Sequence, residues 1–259
     1  MSNTVSATLR PDIVNLQRAS SGGRATHEVI QIIQIFEKHR IICCLVGVSA
    51  LVFYGAERIQ HDWEICIPSD RVKDAVSLLS NEFVSMYTPA QRRLPQPASL
   101  SHTYPRFSGK DADFSFILVP SHDAHIRCSE STIQRSNGLP YPTLPVLIQS
   151  FLDTNNTVAL CDVVDGTNVS ECWGRQHLKL DGTNDIGWAK RMNGQIYSDK
   201  DGPMAWVSLF PTAIVSKQQM WESGVRNKKS RLGWTQPEEL FETRFRLKSS
   251  DNPRNITHF

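Results

Sequence analysis

The chain has 259 residues, of which 40% are hydrophobic and 21% charged, so it is long enough to bury a substantial core and too apolar to be disordered throughout. Lysine and arginine exceed aspartate and glutamate by 28 to 26, a formal charge of +2, so a nucleic-acid partner would have to be held by a local patch. No apolar run reaches the roughly 18 residues a membrane-spanning helix needs.

Residues 1–24 are rich in Ser, Thr and Asn without the apolar stretch of a secretory signal, which predicts a disordered lead-in and a cytoplasmic protein. On that reading the Asn-x-Ser/Thr triplets at Asn155, Asn168 and Asn255 are chance matches. Thr26 is placed to cap a helix carrying Val29, Ile30, Ile32, Ile33 and Phe36 and ending at His39-Arg40. Residues 41–46 read as a strand buried on both faces, stopped by Gly47. A short helix then leads to a strand at 63–67, closed by Pro68. Ser69 or Asp70 can cap the next helix, and residues 83–87 look like a strand.

Residues 88–107 hold Pro89, Pro95, Pro97 and Pro105, which predicts an irregular loop of the kind that covers a site. Residues 113–119 form a further strand, and a helix follows around 146–153. Beyond it the chain reads as an α-rich or irregular lobe. The six cysteines show no C-x-x-C pair and no zinc-finger spacing to histidine, so Cys43, Cys44 and Cys66 are expected to serve as small core residues.

The chemistry concentrates in residues 45–68. Asp62 and Glu64 are two apart on a strand, so both carboxylates leave one face about 6–7 Å from each other. Such a pair suits a divalent cation held by carboxylates and substrate phosphates. The same spacing also fits a turn aspartate followed by a glutamate on a solvated edge. His61 would point to the opposite face.

The frame Val46-Gly47, Ser49-Ala50-Leu51, Tyr54-Gly55, Arg58 and His61-Asp62-Trp63-Glu64-Ile65 resembles the nucleotidyltransferase superfamily that includes DNA polymerase β. Among its members it looks closest to the small bacterial toxin- and antitoxin-type proteins and to fungal proteins of similar length. The resemblance spans residues 28 to about 117, with Val48 in place of the family's second Gly or Ser and Ser49 as its substitute. It implies an α/β (α+β) fold, a mixed sheet flanked by helices over residues 25–125, with a C-terminal lobe and basic tail over 126–259.

It also implies a metal-dependent transfer of a nucleoside monophosphate from a triphosphate to a hydroxyl or amine acceptor. Asp62 and Glu64 would hold Mg²⁺ or Mn²⁺, and Asp113, with Asp111 second, would supply the third carboxylate. Gly47, Ser49, Arg58 and Arg106 would meet the substrate, although Arg58 could equally pair with Glu57 or Asp62. More loosely, the chain resembles fungal arginine-containing cyclodipeptide synthases, which would use the acidic pair without metal and take aminoacyl-tRNA. A third possibility is a non-catalytic binding module on this scaffold, marked by carboxylates engaged by internal arginines. Arg226, Lys228, Lys229 and Arg231, between Trp221 and Trp234, form a basic stretch able to track nucleic-acid phosphates, or simply a solvated helix face.

Overall fold

The computed structural model describes residues 17–56, 58–198 and 209–231. A short turn, α1 (Ser20–Gly23), precedes α2 (Thr26–Lys38), whose Val29, Ile32, Ile33 and Phe36 are buried. Thr26 is the first helical residue and Ala25 takes the cap position, with no side-chain capping bond. The chain then forms β1 (Cys44–Leu45), α3 (Gly47–Phe53) and β2 (Trp63–Ile67). The expected long strand over 41–46 is a two-residue edge strand, with Cys44 and Leu45 opposite Cys66 and Ile65 of β2 and the Val46 N–H donating to Glu64 O at 2.9 Å.

A 3₁₀ turn at Ser69–Arg71 leads into α4 (Val72–Ser77) without a side-chain cap. Next come β3 (Tyr87–Pro89), β4 (Arg106–Gly109) and β5 (Ser115–Pro120). The five strands form one sheet in the order β1-β2-β5-β4-β3. Only the central pair, β2 and β5, is parallel, so the sheet is mixed and its helices make a mixed α/β fold.

The register sorts side chains by face. Glu64 lies opposite Ile117 and Ile117 opposite Arg106, so these three share a face. The other face carries Trp63, Phe116 and Phe107 in one cross-strand row, with Phe107 and Phe116 stacked at 5.6 Å.

After β5 come a hairpin, β6 (Ile133–Ser136) and β7 (Leu139–Pro142), and then helices α5 (Leu144–Asp153), α6 (Thr157–Thr167), α7 (Glu171–His177), α8 (Ile186–Ser198), α9 (Lys217–Arg226) and α10 (Lys228–Arg231). Among the described residues, the part after β7 is therefore helical. One apolar cluster runs from Val29 through the sheet to Trp221. No helix among the described residues is long and apolar enough to cross a membrane.

Candidate functional site

Gly47 opens α3 with φ +55, a left-handed conformation that L-residues with side chains rarely adopt. A Cβ built on it would overlap the Glu64 carboxylate. The turn therefore brings its backbone against that side chain: the Val48 N–H donates to Glu64 Oε1 at 3.3 Å, and the Glu64 N–H donates to Ser49 Oγ at 3.2 Å.

Asp62 sits just before β2 and is 3% exposed. Arg93 Nε donates to its Oδ2 at 2.6 Å, and Arg106 reaches Oδ2 at 2.9 Å and Oδ1 at 3.1 Å. Arg93 belongs to the proline-rich segment between β3 and β4. That segment is not simply a solvated loop, because Leu100, Ser101, His102 and Tyr104 are buried in it.

The two carboxyls titrate in opposite directions. Burial alone would raise Asp62, but the hydrogen bond from Arg106 and the charges of Arg93 and Arg106 outweigh it and hold the group below the usual carboxylate range. Glu64 is half-buried, and desolvation pushes its carboxyl up to about 7 against the smaller opposing effects of Arg93 and the Val48 N–H.

Adjoining Ser49 and Trp63 lies a cavity of about 420 Å³ lined by Arg24, Phe53, Arg58, His61, Trp63, Asp113 and Tyr141, among others. Phe53 and Tyr141 stack there at 3.9 Å. Asp113 is exposed, and its N–H donates to Gln17 O at 3.0 Å. The structure thus divides the candidate residues: Gly47, Asp62, Glu64 and Arg106 meet on one face, and Arg58 and Asp113 line the cavity. Ser49 joins the two, bonding Glu64 while lining the cavity.

Arg58 is engaged away from the acidic pair. It holds Asp162 of α6 through two bonds, Nε to Oδ2 at 2.7 Å and Nη2 to Oδ1 at 2.9 Å. Burial nevertheless raises Asp162 to about 6, because the carboxyl is 2% exposed.

The basic stretch at the C-terminal end is also internally bonded. Arg226 pairs with Glu171 and Glu222, Lys228 donates to Asn168 Oδ1 and Val169 O, and Arg231 clamps Asp165 and Gly224 O. Trp234 lies outside the described residues. Arg93 was not foreseen as a site residue; its only sequence signal is its place in the loop predicted to cover the site.

No protein-family model matches the chain, and no curated protein matches it. Among solved structures the chain is similar to JHP933 from Helicobacter pylori, with 13% identity, a TM-score of 0.34, and coverage of 79% of this chain and 89% of that one. It is also similar to an H. pylori protein described as a candidate nucleotidyltransferase, with 11% identity, a TM-score of 0.34, and coverage of 81% of this chain and 95% of that one.

Proposed function

We propose that the chain is a transferase of the nucleotidyltransferase type, moving a nucleoside monophosphate from a triphosphate to a hydroxyl or amine acceptor. The observation that carries this reading is the closure of the left-handed Gly47 turn on Glu64, with Asp62 and Arg106 on the same face of the sheet. Two neighbouring carboxyls whose surroundings drive their proton affinities apart suit acid–base work. Glu64, raised to about 7, is able to take the acceptor's proton near neutral pH, while Asp62 stays ionised. The guanidinium groups of Arg93 and Arg106, already bonded to Asp62, add positive charge beside the turn that would favour an anionic donor. The aromatic cavity beyond Ser49 suits the flat part of a substrate.

Mg²⁺ or Mn²⁺ is the cofactor that the sequence resemblance implies. As arranged, Asp62 does not fit such an ion, because both of its oxygens are given to arginines.

The arginine pairing of Asp62 also favours a second reading, a binding module in which this face has a structural role. The two readings are separated by incubating the protein with α-labelled nucleoside triphosphates, with and without Mg²⁺ or Mn²⁺, and following label transfer and melting temperature. The transferase reading expects a triphosphate to raise the melting temperature and Glu64→Gln to reduce transfer at least ~100-fold. If no triphosphate shifts melting and none yields transfer, the enzymatic reading fails.

A further inference from the structure

Three cysteines distant in sequence converge beside the acidic face. Cys44 on β1 lies opposite Cys66 on β2, and Cys128, in the segment between β5 and β6, reaches both. The sulfur of Cys128 is 4.0 Å from that of Cys44 and 3.5 Å from that of Cys66, and all three sulfurs lie within 4.8 Å of one another. Cys44 and Cys66 are fully buried and Cys128 is half-buried.

These separations can be tested against coordination geometry. Three thiolates each about 2.3 Å from a common ion stand about 3.8 Å apart in a tetrahedral site and about 4.0 Å apart in a trigonal one. The observed spacing brackets those values, so a thiophilic ion needs only small side-chain adjustments. Cysteines serving merely as small apolar side chains have no reason to bring three sulfurs from separate segments into mutual contact.

We infer that Cys44, Cys66 and Cys128 form a binding site for a thiophilic d¹⁰ cation of the Zn²⁺ class, held by three protein sulfurs. The thiols lose their protons to solvent as the ion binds. Soft thiolate donors select such an ion over Mg²⁺, which takes oxygen ligands, so the site is chemically separate from the acidic pair. Zn²⁺ prefers four ligands, and three sulfurs leave one position for water or an external thiol. Bridging β1, β2 and the segment after β5, the ion would tie that segment to the sheet, so its first role is structural.

The test uses the full chain, reduced, treated with chelator and desalted, and then titrated with Zn²⁺ or Cd²⁺. Native mass spectrometry is expected to show one ion per chain, and Cd²⁺ to give ultraviolet thiolate-to-metal absorption. Cys128→Ser, a nearly isosteric change at the half-buried position, is expected to weaken binding at least ~100-fold. It should also abolish the metal-induced rise in melting temperature while leaving the metal-free melting temperature close to that of the parent. Cys161→Ser and Cys172→Ser should retain binding. The inference is overturned if the reduced chain takes up no ion, if uptake survives Cys128→Ser, or if it depends on Cys161 or Cys172. A chain that instead forms a disulfide within the triad, and whose reduced form binds neither ion, overturns it as well.

Discussion

Asp62 and Asp113 stand near the same ends of the parallel strands β2 and β5, yet their surroundings differ completely. Asp62 is buried and its oxygens are filled by two arginines, whereas Asp113 is exposed on the rim of a cavity. A carboxylate removed from water must be compensated where it stands, so the Asp62 face is tightly determined. A carboxylate left in water imposes no such demand. The contrast teaches that sensitivity to mutation should follow burial, while freedom to take up a ligand should follow the cavity.

The largest effect is expected at the turn. Gly47→Ala imposes a left-handed residue and drives a methyl group into Glu64, and it should cost about 3 kcal/mol in urea unfolding. If the overlap is the cause, Glu64→Ala in the same chain should recover part of the loss, a coupling that a double-mutant cycle measures. Next comes Arg106→Leu, which removes two of the three bonds to Asp62 while Arg93 keeps its own, and should cost about 2 kcal/mol. Arg93→Ala should cost less, because Arg106 still meets both oxygens. Equal losses at the two arginines would contradict this account of the face.

A smaller effect separates the two carboxyls by pH. The folded protein raises Glu64 to about 7 from an ordinary value of 4.5, so it binds the proton more tightly than the unfolded chain does. This contribution to stability is fully present below about 4.5 and is lost as pH rises through about 7. Asp62 has the opposite sign: its pKa is depressed on folding, and its contribution is lost as pH falls. Glu64→Gln should therefore flatten the decline between pH 4.5 and 7 and leave the acid limb in place, as seen in urea midpoints measured across that range. The smallest effect is expected at the cavity rim, where the exposed side chains changed in Asp113→Asn and His61→Ala should each alter stability by no more than about 0.5 kcal/mol.

Much of the scaffold was legible in the chain because its periodicity is local. The apolar spacing of α2, the run Trp63–Ile67 ended by Pro68, and the glycine that opens α3 were all readable from near neighbours. Strand β4 was hidden because Arg106–Gly109 has little β character of its own and is fixed by pairing with β3 and β5. The β6–β7 hairpin carried a real signal, Asn137-Gly138 with both φ positive, but the prolines at 140 and 142 obscured it. Within the candidate site, the shared face of Asp62 and Glu64 follows from strand alternation. The grip of Arg93, the pairing of Arg58 with Asp162 and the meeting of three cysteines join residues 31, 104 and up to 84 positions apart, and no spacing rule reaches that far.

Arg231 reaches back to Asp165 on α6 and to the carbonyl of Gly224, fastening the end of α10 to the body of the protein. This sets a practical limit for shortened versions. A chain cut before Arg231 would lose two charge-assisted bonds to a buried acid and should be less stable than one that keeps them.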